Sequence, residues 1–346
     1  VSTDRTDAAR EALDRLLRTA LPDKADELRD ALRGSDRYVD TLGSVYFQNP
    51  FFQLTDEEAE ALRVGIGTDA PLAALVAARH QAMQPAGRRY VVFCMPKSGS
   101  SFLKVALETV LQLPPVSLTS FGNTWLSSQF GMNQREQELD ELALVKAALM
   151  HPKGFVAQHH TRYTTYLGLQ MAAYGLTPIV TLRNIPDALV SFDDMMLAWR
   201  AEAGVGEWAG DTPFALPRDY PELAPEARIR LLGRSLGIWL VQFYLSWLRA
   251  RRQGRVSPLV IRYEDDVLHP ERLVERLAKA LQLDAEQVGR LRAFAERPDP
   301  ERSRLNVGKS GRGRERVPDD VLELLRDYAA TFGDEIPAAD AARLLS

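Results

Sequence analysis

The chain of 346 residues carries 43 Lys and Arg against 47 Asp and Glu, a formal net charge of −4, with 45% hydrophobic and 26% charged residues. That balance excludes a chain too polar to bury a core, and it makes no general demand for a nucleic-acid partner, so basic residues must be read locally. Cys94 is the only cysteine, which rules out an intramolecular disulfide and fits a reducing compartment.

The N-terminal stretch reads as helix: Ala9, Leu13, Leu16, Leu17 and Ala20 recur at helical spacing until Pro22. Its charges are spread along the run, so no signal peptide is expected and the expected location is cytoplasmic. Tyr38, Tyr46, Phe47, Phe51 and Phe52 crowd around Asn49-Pro50. A second helical region runs from a capping sequence at Thr55-Asp56-Glu57-Glu58 to about His80, and Gln84-Pro85-Ala86-Gly87 breaks it. The expected organisation is a helical region, residues 1–86, packed on a domain of residues 87–346 as one structural unit.

Beyond the break the pattern becomes strand, loop, helix. Tyr90–Cys94 is a continuous apolar run of the kind found in a strand buried on both faces; Gly154–His159, Thr177–Leu182 and Leu259–Ile261 follow, each separated from the next by helical sequence. This predicts an α/β fold, a parallel sheet flanked by helices. Residues 204–225 are rich in Gly, Pro and acids with little periodicity, which suggests a lid. The longest apolar stretch, Leu236–Leu248, contains Gln242 and Ser246 and is too short to span a bilayer, so it reads as a buried helix. The richness in Ala and Arg suggests a GC-rich bacterial genome.

Chemistry concentrates first at Pro96-Lys97-Ser98-Gly99-Ser100-Ser101-Phe102, directly after the first strand and opening a helix with Phe102, Val105, Ala106 and Val110 on its apolar face. Unpartnered N–H groups and the positive dipole end of a helix start favour an anion. Gly99 permits close backbone approach, and Lys97 adds a charge where a leaving group would become negative. A Walker A loop places Lys after its second Gly; here Lys97 precedes Gly99, which counts against an ordinary ATPase or GTPase.

A second basic position closes the third strand: Arg183, followed by Pro186 at a helix start and Ser191 eight residues on. A strand-end guanidinium can grip a phosphate through paired hydrogen bonds. His159 and His160 end the second strand, at the carboxyl edge where ligands of parallel sheets gather. A neutral imidazole there suits a general base, and strand alternation lets only one of the two face an acceptor. His80, His151 and His269 read as structural or exposed.

These motifs resemble the sulfotransferases that use 3′-phosphoadenosine-5′-phosphosulfate (PAPS), whose first signature reads approximately PKSGTTW. The resemblance spans about Tyr90 to Val317 and implies the P-loop kinase-like sulfotransferase fold with a helical N-terminal extension. It implies that Pro96–Ser101 hold the 5′-phosphate, that Lys97 bridges to the leaving oxygen, and that Phe102 stands in for a Trp near the adenine. Arg183 and Ser191 match the 3′-phosphate signature. Arg262-Tyr263-Glu264-Asp265 resembles the YED segment, placing Tyr263 by the adenine. RLNVGKSGRGR, residues 304–314, matches the Gly-rich closing loop in part: Gly308 and Gly311 align, and Lys309, Arg312 or Arg314 would supply its charge. The family's KTHLP pattern aligns on Gln158-His159-His160, which favours His160 as base and leaves His159 as the alternative, with Gln158 in place of a Lys.

The implied activity is in-line transfer of the sulfuryl group of PAPS to a hydroxyl, releasing 3′,5′-adenosine bisphosphate, with no metal expected because the sequence shows no Cys or His cluster at metal-ligand spacing. Two other readings are a P-loop-like nucleotide kinase and a non-catalytic PAPS-binding module. The acceptor stays open among phenols, lipids, sugars and carrier-bound hydroxyls, as does the oligomeric state. Tyr46, Phe47, Phe51, Phe52, Tyr163, Tyr166 and the lid are candidates for its pocket.

Overall fold

The computed structural model describes residues 78–84, 87–119, 138–203, 216–217, 219–297 and 310–345, together with residues 11, 14, 15, 18 and 26; side chains of residues 199–203 are excluded. Apart from the five positions just named and residues 78–84, all helical or at a helix end, the expected N-terminal helical region therefore lies outside the described residues, as do the aromatic cluster at residues 38–52 and residues 204–215 and 218 of the expected lid.

The described core is α/β. Four parallel strands, β1 (Arg88–Cys94), β2 (Gly154–His159), β3 (Leu176–Leu182) and β4 (Leu259–Arg262), lie in the order β2-β1-β3-β4. The four runs expected as strands are the four strands found, because each is short, apolar and bounded by polar or turn residues. Register pairs Phe93 with His159, Cys94 with Thr181 and Leu182 with Arg262. All four carboxyl ends consequently share one edge.

Alternation along the strands sends successive side chains to opposite faces. Val91, Phe93, Phe155, Ala157, Val180 and Leu182 join one buried cluster; Tyr90, Val92, Cys94, Val156, Ile179 and Ile261 join the other. Helix α1 (Ser100–Leu111) covers the second face with α7 (Pro270–Leu281) and α8 (Ala285–Glu296). The first face is covered by α2 (Glu141–Met150), α3 (Thr165–Ala173), α4 (Ile185–Ala203), α5 (Pro225–Leu232) and α6 (Ile238–Arg252). After the short α9 (Gly313–Arg316), α10 (Asp319–Ala330) and α11 (Ala338–Leu345) complete that layer.

The apolar stretch at 236–248 is the buried helix its length implied: Leu240, Phe243, Tyr244 and Trp247 of α6 are core residues, and Gln242 donates to the Tyr328 hydroxyl at 2.7 Å. No helix among the described residues is long and apolar enough to cross a membrane. Buried Arg89 donates at 2.7 Å to the carbonyls of Ala82 and Tyr174, tying the helical turn at 78–83 to the sheet.

Candidate functional site

The loop after β1 is held from below. The Ser98 hydroxyl lies 2.6 Å from the Met95 carbonyl oxygen and 2.6 Å from Thr181 Oγ1, so this fully buried side chain fastens the loop to β3. Lys97 and Gly99 both have positive φ, 66° and 78°. Left-handed residues in a loop turn neighbouring N–H groups toward one side, a geometry that suits an anion; the Ser98 N–H is itself taken by the Met95 carbonyl at 3.3 Å. Gly99 is the N-cap of α1 without a side-chain cap, and a Cβ there would meet the Tyr263 ring at 3.1 Å and Val267 at 3.2 Å. Gly is thus required twice, by φ and by space.

Arg183, immediately after β3, connects three of the expected residues. Its Nη1 donates to the Lys97 carbonyl at 2.8 Å, and its guanidinium carbon lies 4.2 Å from the centre of the Tyr263 ring. Tyr263 follows β4 as Arg183 follows β3, and the parallel register of the two strand ends brings the side chains together. Lys97 Nζ reaches Met195 Sδ of α4 at 3.6 Å. Ser191, on the second turn of α4, is buried.

The two histidines part as alternation requires. His159 is 2% exposed on the first face, and its Nε2 accepts from the Leu118 N–H at 3.3 Å. Burial, with the neighbouring His160 ring, pushes its pKa down to about 3, so it is neutral at ordinary pH. His160, partly exposed, turns to the second face, where its Nδ1 lies 2.9 Å from the Cys94 carbonyl oxygen and 3.2 Å from Cys94 Sγ. Donation from Nδ1 to that carbonyl makes Nε2 the basic nitrogen. Burial opposes protonation of His160, but the Cys94 thiol and carbonyl outweigh it and raise its pKa above the ordinary value; the Lys97 charge acts in the opposite sense. Gln158 spans to the loop, donating from Nε2 to Ser100 Oγ at 2.9 Å.

Two expected residues carry their side chains elsewhere. The Phe102 ring is 4% exposed and packs on Phe294 of α8, with centroids 5.3 Å apart, leaving Tyr263 as the ring over the loop. Arg312 pairs with Asp194 at 2.6 Å. Ser101, the second residue of α1, is partly exposed, whereas Pro96 and Ser100 are buried. Gly308 and Lys309 lie outside the described residues. Of the acceptor-pocket candidates, Tyr163 packs edge-on against Trp247 at 5.4 Å, whereas Tyr166 is exposed.

The acidic residues of α4 went unread in the sequence. Asp187, 2% exposed, accepts from the Ser310 hydroxyl and the Gly311 N–H at 2.8 Å and from the Gly313 N–H at 2.7 Å, pinning the C-terminal segment beside Arg183. Gly313 sits so close that a Cβ would meet Pro186 at 2.4 Å. Asp193, fully buried, receives Arg228 at 2.7 Å and the Tyr220 hydroxyl at 2.8 Å, and Arg316 bridges Asp193 and Asp194. A signal existed for Asp187, since an acid in the first turn of a helix complements its dipole; for Asp193 and Asp194 it was the basic run Arg312, Arg314 and Arg316 late in the chain. Cys94 was similarly informative, as the last residue of a strand whose parallel neighbour ends at the histidines.

No family model matches the chain, and no curated protein does. Among solved structures the chain is similar to the crystal structure of sulfotransferase STF9 from Mycobacterium avium. Identity is 15%, the match covers 85% of this chain and 89% of that one, and the TM-score is 0.40. At that overlap no residue role is carried from one protein to the other.

Proposed function

We propose that the chain is a PAPS-dependent sulfotransferase acting on a hydroxyl. The observation that supports this reading is the convergence of all four strand ends: the Lys97 loop after β1, His160 after β2, Arg183 after β3 and Tyr263 after β4. They lie at the carboxyl edge of one parallel sheet, with Arg183 touching both Lys97 and Tyr263. A phosphate loop beside a strand-end Arg offers two anion sites, and a nucleotide with phosphates on both the 3′ and 5′ positions needs two.

In the proposed reaction, His160 takes the acceptor hydroxyl proton at Nε2 as the oxygen forms its bond to sulfur. The bond from sulfur to the 5′-phosphate oxygen breaks, and its electron pair leaves with the bisphosphate, where Lys97 and the loop N–H groups balance the charge. The chain's contribution is positioning and electrostatics, as in phosphoryl transfer. The deciding experiment is a thermal-shift comparison. Stabilisation by 3′,5′-adenosine bisphosphate and not by Mg–ATP supports the reading; the reverse pattern replaces it with a nucleotide kinase. Screening hydroxyl acceptors with labelled PAPS then separates an enzyme from a binding module.

A further inference from the structure

A second basic site lies against the edge strand, and none of the residues assembled above lines it. Between β3, β4 and α6 the molecule holds a cavity of about 270 Å³. Its floor is apolar, formed by Val180 and Leu182 of β3, Val260 of β4, and Trp247 and Leu248 of α6. Its walls are basic: Arg251, Arg262, Arg272, Arg276 and Arg343, drawn from α6, β4, α7 and α11.

The carboxylates among the described residues around it fall short of that charge. Asp340 and Asp265 line the cavity, and Asp266 lies behind it. Each is already engaged: Arg262 meets Asp340 at 3.2 Å, Arg343 meets Asp265 at 3.3 Å, and Arg276 meets Asp266 at 2.6 Å. The named arginines and aspartates thus leave an excess of two positive charges around a small hollow. Like charges held together repel, and an anion placed among them relieves that repulsion. Guanidinium forks match the paired oxygens of a carboxylate, phosphate or sulfonate, while Trp247 and Leu248 offer an apolar bed below them.

We infer that this cavity binds a small organic oxyanion, a carboxylate, sulfonate or phosphate ester with a flat or compact apolar body. Its volume is near the lower end of ligand pockets, about 300 Å³, which restricts it to a fragment-sized molecule. The site is distinct from that of the proposed reaction: its apolar lining belongs to the face of the sheet opposite α1, and Lys97, His160, Arg183 and Tyr263 do not line it, although Arg272 and Arg276 come from α7 on the α1 side.

The test is calorimetric titration of the whole chain, saturated with 3′,5′-adenosine bisphosphate, using 2-naphthalenesulfonate and 2-naphthoate as probes. Both are expected to bind with a Kd of about 0.1–1 mM, and neutral 2-naphthalenesulfonamide at least about tenfold more weakly. Arg251→Gln with Arg343→Gln, both exposed positions, should weaken the anions by about tenfold or more. Leu248→Trp, which fills the hollow and leaves every charge in place, should abolish binding. Absence of binding to the parent chain, equal affinity for the sulfonamide, or unchanged affinity in the double variant would overturn the inference. The surface double variant keeps the test decisive even if Leu248→Trp fails to fold.

Discussion

The guanidinium of Arg183 lies over the ring of Tyr263, 4.2 Å from its centre, while donating a 2.8 Å hydrogen bond to the carbonyl of Lys97. One side chain therefore joins the ends of β1, β3 and β4. Removing it takes away the strut between two loops and, on the proposed function, a phosphate-binding fork. Arg183→Lys keeps the charge but loses the planar fork, so the affinity for 3′,5′-adenosine bisphosphate should fall by about 10- to 100-fold, or about 1.4–2.8 kcal/mol. Tyr263→Phe keeps the stacking surface and should change it little. Calorimetry checks both, and full affinity in Arg183→Lys would remove Arg183 from the anion site.

The His160 contact with Cys94 makes a prediction about pH. A base must be neutral to act, and the pKa of His160 is raised, with the thiol and carbonyl of Cys94 overcoming burial. Activity should therefore rise with pH and reach its plateau above the ordinary imidazole value of about 6.5. Cys94→Ala removes the thiol and keeps the carbonyl, which should shift the acid limb to lower pH. His160→Ala should reduce turnover by about 10²- to 10⁴-fold while leaving bisphosphate binding intact. An acid limb unmoved by Cys94→Ala would show that the thiol does not tune the base.

His159 governs stability instead. Its folded pKa is depressed to about 3 by burial and by His160. In the unfolded chain it would protonate near pH 6.5, about the model imidazole value. Between those values the unfolded state binds the extra proton, so stability falls as pH drops from about 6.5 toward 3, by at most about 1.4 kcal/mol per pH unit. His159→Gln keeps an acceptor for the Leu118 N–H and has no proton to gain. Urea melts at pH 7.5, 6 and 5 should show a shallower loss for the variant. Parallel curves would mean that the acid sensitivity resides elsewhere.

Asp187 supplies a complementary case. Burial works to raise its pKa, but hydrogen bonds from Asn184, Gly313, Ser310 and Gly311 overcome it and hold the carboxyl below its ordinary range. A depressed carboxyl stabilises the fold above its unfolded pKa and loses that contribution as pH falls through the folded value. Asp187→Asn should cost about 2–3 kcal/mol at neutral pH, because two backbone N–H donors and a hydroxyl lose their charged acceptor. Release of residues 310–313 should also weaken bisphosphate binding. Gly313→Ala, where a Cβ would meet Pro186 at 2.4 Å, should reproduce both effects without altering charge. Melts paired with calorimetry distinguish a latch from a purely structural cap, which would move stability alone.

The legibility of these features follows from how local each one is. The strands were readable because a buried parallel strand needs only a short apolar run between turn signals, and Lys97, His160, Arg183 and Tyr263 could be placed because a strand end is a position in sequence. What the side chains do beyond that depends on residues far away. Ser98 looked like a ligand hydroxyl until Thr181 turned out to sit opposite it, and Arg312 looked like a phosphate donor until Asp194 proved its partner. Phe102 is drawn into the core by Phe294, almost two hundred residues on, which no motif spacing reveals.

Lys97 carries the last prediction. Among described non-glycine residues only Lys97, Gln112 and Gln282 have positive φ, and the two glutamines are helix C-caps, where that conformation is ordinary. Lys97 holds it in a loop, at a cost of about 1–2 kcal/mol. Glycine would relieve this strain, offset by its greater freedom in the unfolded chain, so Lys97→Gly should leave stability unchanged or raise it by up to about 1 kcal/mol. On the proposed function, turnover should nevertheless fall by about 10²-fold or more, because the charge assigned to the leaving group is gone. Lys97→Met separates the two effects: it keeps the strain, so stability should hold, and removes the charge, so turnover should fall as far. If Lys97→Gly proves clearly less stable, the loop is not strained at this residue. If Lys97→Met turns over normally, the charge takes no part in the transfer.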